Sequence, residues 1–122
     1  MTIREAITLV DSHKHNTYSD RDKLRWLTVL EAMAQQMIAQ TGGEGLLPFE
    51  GFSDATPKDT VLTAPAPFDE MYLRWLEAQI DYHNGEFDKY NNALSMFQAA
   101  FDSFRNACGR KNTAKAVAFR YF

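Results

Sequence analysis

Apolar residues recur at helical spacing in four stretches of the chain, and the last stretch is the clearest. After Gly85 they alternate in steps of three and four residues, which places them on one stripe of a single helix. The stripe consists of Phe87, Tyr90, Leu94, Phe97, Phe101, Phe104 and Cys108. We expect this stripe to be buried, and each of its four phenylalanines then contributes roughly 1.5–3 kcal/mol to stability.

Three earlier helices are predicted from the same periodicity and from their cap residues. The first begins after the N-cap Thr2 and ends near Ser12, and the second begins at Ser19 and stops at residues 41–43. The third runs from Pro67 to Gly85, where a tight turn predicts an antiparallel hairpin with the fourth helix. We expect its seam to join Tyr72, Leu76 and Ile80 to Leu94, Phe97 and Phe101. The fold class is therefore mainly α, a small helical bundle with a C-terminal antiparallel hairpin.

A long central arm, residues 42–67, interrupts the helices with glycine and proline. Most connections in compact domains have about 4–6 residues, so an arm of this length is predicted to have a role of its own. It carries Phe49, Phe52, Val61 and Leu62, which are candidate partner-binding residues, and residues 60–63 have the β-branched content of a short strand. Packing on its own domain and packing on another chain both stay open.

The last residues, about 110–122, are predicted to form an extended tail. From residue 114 onward the apolar side chains repeat with a period nearer two than 3.6, which indicates a strand and not the end of a helix. Three aromatics lie in the final four residues, and Phe119, Arg120, Tyr121 and Phe122 are the candidate partner-binding residues of the tail. The alternative is that the tail folds back onto its own helices.

Composition and charge exclude several classes of protein. The 122 residues fit a single domain, 1–122, with a net charge of −3. Residues 109–122 contain four basic residues and no acidic residue, so the remaining residues together carry −7. No run approaches the roughly 18 apolar residues of a membrane span, and the first residues do not resemble a signal peptide, so we expect a protein made in the cytoplasm. The single cysteine, Cys108, is expected to be a buried structural thiol.

The sequence offers little chemistry, and we expect neither enzymatic activity nor a cofactor. His13 and His15 lack a firm third ligand for a metal. Glu77 and Asp81, four residues apart, are interpreted as part of a solvated helix face and not as an acid–base pair. His83 is expected to bond the last carbonyls of its helix.

Nucleic-acid recognition is not predicted either. Arg21, Lys23 and Arg25 cluster at the start of the second helix, but Asp20, Asp22 and the acidic body oppose a strong phosphate-binding field.

A family resemblance adds a function to this outline. Residues 64–82, APAPFDEMYLRWLEAQIDY, followed by Asn84-Gly85-Glu86, Tyr90-Asn91-Asn92 and Met96-Phe97, resemble the small head-tail connector (adaptor) proteins of tailed bacteriophages and prophages. Val10-Asp11, Asn16-Thr17-Tyr18 and Lys23-Leu24-Arg25-Trp26-Leu27 are similar to the opening of the same family.

The resemblance implies a virion structural subunit at the head-tail interface. It implies self-association in a ring under the portal protein, docking of tail-completion proteins, and a channel through which DNA passes without sequence-specific binding. The acidic body suits such a channel, because lysines on the lumen would hold the phosphates. The alternative function is a small cytoplasmic helical protein-interaction or regulatory module.

Overall fold

Four helices make up the fold. A computed structural model describes residues 1–42 and 49–120, the last ten as backbone only. The helices are α1 (Ile3–His13), α2 (Asp20–Gln40), α3 (Glu70–His83) and α4 (Phe87–Arg120). The predicted mainly helical fold is therefore confirmed.

The N-termini of the first two helices begin where the sequence predicts. The Thr2 hydroxyl accepts a hydrogen bond from the Glu5 amide at 3.1 Å, and the Ser19 hydroxyl accepts one from the Asp22 amide at 3.2 Å. Each bond satisfies a backbone donor that has no partner inside its helix. The local sequence thus fixes both starting points.

The predicted antiparallel hairpin joins α3 and α4. Gly85 has a φ of +74°, in the left-handed region that glycine adopts without a steric penalty, and it ends α3. Three ring contacts then follow at seven-residue intervals on both sides of the turn, as antiparallel packing requires, and the last involves Phe68, just before the start of α3. The ring pairs, with centroid separations of 5.3, 4.9 and 6.5 Å, are Tyr82 with Tyr90, Trp75 with Phe97 and Phe68 with Phe104.

The core lies between this hairpin and the first two helices. Tyr72, Leu76 and Ile80, the α3 residues predicted for the seam, are completely buried, and Phe97 is 5% exposed. The other elements contribute Ile3, Ala6, Ile7, Val10, Leu24, Leu27, Leu30, Ala34, Leu62 and Ala64. The arm therefore contributes to the same core as the helices.

The expectation that the whole apolar stripe of α4 is buried is wrong at its two ends. Phe87 is 60% exposed because it lies at the first residue of α4, beside the turn, where its ring neighbour Tyr82 is itself 51% exposed. At the other end Cys108 is only partly buried, although it packs against the core. Leu94 and Phe101 are also partly buried.

The predicted extended tail is wrong over the residues that the structure describes. The backbone continues as α4 through Gly109 and as far as Arg120. Alanine, lysine and arginine, which favour a helix, make up seven of residues 110–120, and their propensity outweighs a short two-residue alternation. Tyr121 and Phe122 lie outside the described residues.

The second half of the arm is held against the N-terminus. The Leu62 amide donates to the Met1 carbonyl at 2.9 Å, and the Ile3 amide donates to the Thr60 carbonyl at 3.1 Å. Instead of the predicted short strand, the described part of the arm has one antiparallel bridge between Thr2 and Val61, because α1 begins at the next residue. This half therefore packs on its own domain, while residues 43–48 lie outside the described part.

Candidate protein-interaction surfaces

The four candidate residues of the arm have different environments. Val61 is 69% exposed and available to a partner, whereas Leu62 is 2% exposed and belongs to the core. The partner-binding prediction for Leu62 is therefore wrong in this fold, because successive residues of an extended segment point to opposite sides.

Phe49 and Phe52 form an aromatic pair on the outside of α2. Their rings meet edge to face with centroids 5.1 Å apart, and both side chains are partly buried. The Phe52 amide donates to the Thr28 hydroxyl at 3.1 Å, which fixes this part of the arm to α2. Gly51 has a φ of +97°, and a Cβ there would lie 3.1 Å from the Thr28 methyl, so the close approach to α2 and the backbone conformation both favour glycine.

An exposed ion pair joins the next turn of the arm to α2. Arg21 on α2 donates a hydrogen bond to Asp54, and this bond together with the opposite charge lowers the pKa of the Asp54 carboxyl. Both groups are exposed to solvent, so the pair contributes little to stability. It does show that Arg21 is already engaged by the arm.

The candidate residues of the tail fall on or beyond the end of α4. Phe119 and Arg120 lie on its helical backbone, and Tyr121 and Phe122 lie outside the described residues. The basic residues Arg110, Lys111, Lys115 and Arg120 thus all lie on the final part of α4, and Arg120, its last residue, lies where the helix dipole favours positive charge.

A groove runs between α2 and α4, and we call it the α2–α4 groove. One part, of about 410 Å³, is lined by Met33, Phe97, Gln98, Phe101, Asp102 and Arg105. The other part, of about 970 Å³, is lined by Met37, Gln40, Thr41, Arg105, Asn106, Gly109 and Arg110. Arg105, which forms an ion pair with Asp102, borders both parts, so the two parts adjoin at this residue.

An aromatic cluster lies at the opposite end of the hairpin, and we call its four residues Tyr82, His83, Phe87 and Tyr90 the aromatic tip. The Tyr82 ring contacts the rings of Phe87 and Tyr90 at 6.2 and 5.3 Å. The His83 ring lies 5.0 Å from Trp26, and its Nδ1 lies 2.8 Å from the Gln79 carbonyl oxygen, as expected for a histidine in the last turn. The aromatic tip is therefore an exposed surface that the sequence does not predict. The adjacent Asn84-Gly85 turn is the sequence signal that could have indicated it, because residues beside a turn lie at the end of the hairpin.

The two acidic side chains Glu77 and Asp81 of α3 have partners inside the fold. Asp81 is 1% exposed and accepts a hydrogen bond from Lys14 at 2.8 Å. Glu77 lies 3.6 Å from His13 and 3.3 Å from Arg74. The interpretation of Glu77 and Asp81 as a solvated face is therefore wrong, because α1 covers this side of α3, and His13 at its end and Lys14 just after it are the partners.

The basic cluster at the start of α2 is also engaged within the fold. Lys23 is 2% exposed and donates to Asp11 at 2.7 Å and to the Tyr18 carbonyl at 3.0 Å. It is therefore unavailable for phosphate binding.

A buried carboxylate ties the arm to α2 and α3. Glu31, 2% exposed, accepts hydrogen bonds from the Thr63 amide at 3.1 Å and from the Tyr72 hydroxyl at 2.7 Å. The Tyr72 oxygen in turn accepts from the Ala64 amide at 3.0 Å. Burial and the negative charge of Glu31 raise the pKa of Tyr72 well above its usual range, so this phenol remains a donor to Glu31.

Over residues 1–42 and 49–120, no three histidine, cysteine or acidic side chains are grouped as metal ligands would be. In the same part of the chain, none of the helices combines the length and the apolar character that crossing a bilayer requires. Compared with protein-family models, with curated proteins and with solved structures, the chain matches none of them.

Proposed function

We propose that this protein is a structural subunit that functions as a phage head-tail connector, forming a ring under the portal and docking tail components. The observation that carries the proposal is α4, which continues as helix for ten residues beyond Arg110, the last residue lining the α2–α4 groove. Ten helical residues span about 15 Å, enough to reach a neighbouring molecule. The resemblance of residues 64–97 to connector proteins supplies the identity of that neighbour.

The charge distribution supports this assignment. The end of α4 is basic without an acidic residue, while the rest of the chain carries the excess of acidic residues. A basic helix end attracts an acidic surface on the portal or on a second copy, and opposite charges fix the orientation of such contacts more than their affinity. A mainly acidic body keeps passing DNA from adhering to the ring.

The engaged side chains also favour a structural role over catalysis. The buried charged residues Lys23, Glu31 and Asp81 all have hydrogen-bond partners inside the fold. Such groups hold elements in place, and a subunit that carries mechanical load benefits from elements held in this way.

The direct test is assembly with the portal protein encoded in the same genome. We expect coexpression to give a complex in which several copies of this chain sediment with the portal ring. Replacing Lys111 and Lys115 with Glu is expected to abolish cosedimentation, because it reverses the charge at the end of α4.

The matched control reverses two exposed basic residues elsewhere, Arg4 and Arg25, and is expected to assemble as the wild type does. A wild-type chain that does not sediment with its portal would overturn the proposal. The alternative, a cytoplasmic interaction module, is supported instead if the chain is captured by a host protein and leaves the portal unbound.

A further inference from the structure

Two exposed surfaces lie at opposite ends of the hairpin. The aromatic tip surrounds the turn between α3 and α4, and the wide part of the α2–α4 groove lies beside residues 105–110 of α4. Phe87 and Asn106 are nineteen residues apart on one helix, which is about 28 Å. A chain therefore cannot place its own tip in its own groove.

The two surfaces are complementary in apolar character. At the tip, Phe87 and Tyr82 leave 60% and 51% of their surface exposed. The groove presents Met33, Met37 and Phe101, and methionine adapts its shape to an inserted ring.

The two surfaces are also complementary in charge. At the tip, Glu86 is paired with Lys89, while Asp88 is exposed and has no ion-pair partner among the described residues. In the groove, Arg105 is paired with Asp102, while Arg110 has no ion-pair partner in that part of the chain. Asp88 at the tip and Arg110 in the groove can therefore form an ion pair between two copies.

We propose that the aromatic tip of one copy binds in the α2–α4 groove of a second copy, with Asp88 facing Arg110. This inference rests on the proposed function in that it names the subunit contact of the ring. The contact is heterologous, with different surfaces on the two copies, and such contacts generate rings when the rotation closes. The tip is small, so the contact lies at the low end of interface sizes and a single pair of copies associates weakly.

The experiment measures self-association of the purified full chain by sedimentation velocity up to millimolar concentration, without portal. We expect concentration-dependent association of the wild type, and we expect Phe87→Ser to weaken it about tenfold or more. Val29→Ser is the control, because Val29 is 49% exposed on α2, outside both surfaces, and we expect it to associate as the wild type does.

A charge exchange tests the predicted pair. Asp88→Lys and Arg110→Glu are each expected to weaken association, and the chain with both changes is expected to recover it. Asp20→Lys controls for the loss of an acidic residue from the first turn of a helix, since Asp20 and Asp88 are both in first turns.

Mixing two defective chains tests whether the contact is heterologous. Phe87→Ser removes the tip and Met37→Lys removes the groove, so each chain alone is expected to remain monomeric. Their mixture retains one intact tip and one intact groove, and we expect it to stop at dimers.

A wild type that stays monomeric to millimolar concentration, a Phe87→Ser chain that associates normally, or a charge exchange without recovery would overturn the inference. If the tip variant instead loses only portal binding, the tip belongs to a portal contact and the inference is also wrong. None of these results decides the connector proposal, which depends on cosedimentation of the wild type with its portal.

Discussion

At the scale of single residues, the fold depends on polar groups that are buried with their partners. Glu31 accepts hydrogen bonds from the arm and from α3, and Lys23 joins Asp11 to the start of α2. Removing one partner of such a group leaves a buried polar atom unsatisfied, which costs about 1–3 kcal/mol. These residues therefore hold the arm and the helices in one arrangement.

The sequence did not predict these buried pairs. Asp81 and Lys14 are 67 residues apart in the chain, and Tyr72 and Glu31 are 41 apart. Helical spacing places a side chain on a face, but it does not identify the residue that another element brings opposite. Helical spacing alone therefore predicts a solvated face for Glu77 and Asp81, although His13 and Lys14 at the end of α1 pair with them.

Tyr72 provides a test through the pH dependence of stability. Its pKa is raised in the folded state, while in the unfolded state it has the ordinary value of about 10. The contribution of Tyr72 is therefore fully present below pH 10 and is lost as the pH rises above 10, because only the unfolded chain then releases the proton.

We expect Tyr72→Phe to lower the free energy of unfolding by about 1–3 kcal/mol at pH 7, since Glu31 and the Ala64 amide lose a partner. The variant is expected to lose less stability than the wild type between pH 9 and pH 11, as measured by urea unfolding. Tyr82→Phe is the control, because Tyr82 is half exposed. Parallel curves for the wild type and Tyr72→Phe would show that the phenol ionises equally in both states.

At the scale of elements, local sequence predicted the helices better than the connections. Caps at Thr2 and Ser19 and the turn at Gly85 are encoded within a few residues, and the structure places the corresponding helix ends there. The predicted extended tail is wrong because high helix propensity outweighs a two-residue alternation of apolar side chains over the same residues. The packing of the arm does not follow from the sequence of the arm itself, because its partner is the N-terminus.

Hydrogen exchange tests the two halves of the arm. The Leu62 amide is bonded to the Met1 carbonyl and its side chain is buried, so we expect slow exchange there and at Ile3. Ala55 lies in an exposed turn, and we expect its amide to exchange faster by orders of magnitude. Fast exchange at Leu62 in the monomer would show that the bridge between Thr2 and Val61 opens readily.

The end of α4 is expected to serve attachment and not stability. Among the described side chains, those of α4 pack on the core as far as Cys108, and we expect deletion of residues 116–122 to leave the melting temperature nearly unchanged. The same deletion should abolish incorporation into portal complexes, measured by cosedimentation. A truncated chain that still assembles, or one that unfolds, would refute the attachment role.

A second variant separates the aromatic from the basic contribution at this end. Replacing Phe119, Tyr121 and Phe122 with Ser keeps the length and the positive charge. Loss of incorporation in this variant assigns attachment to the aromatic residues, and retention assigns it to Arg120 and the lysines.

At the scale of the whole molecule, the indole ring of Trp75 connects the hairpin to α2. Trp75 contacts Phe97 on α4 at 4.9 Å, and its indole nitrogen donates to the Trp26 carbonyl on α2 at 2.8 Å. The arm and α1 join the same core through Leu62 and Ile3. Since all the described elements contribute to this one core, we expect the chain to unfold in a single cooperative transition.

Phe97→Ala tests both the core position and this cooperativity. Truncating a buried phenylalanine costs about 3–5 kcal/mol, a large fraction of the roughly 5–15 kcal/mol that stabilises a domain. We expect a loss of that size in urea unfolding, with the same midpoint by tryptophan fluorescence and by far-ultraviolet circular dichroism. Met96→Ala, at a neighbouring position that is 48% exposed, is the control and should change stability by less than about 0.5 kcal/mol. A loss below about 1 kcal/mol for Phe97→Ala would place this face outside the core, and separate midpoints for the two probes would show that the hairpin unfolds independently of α2.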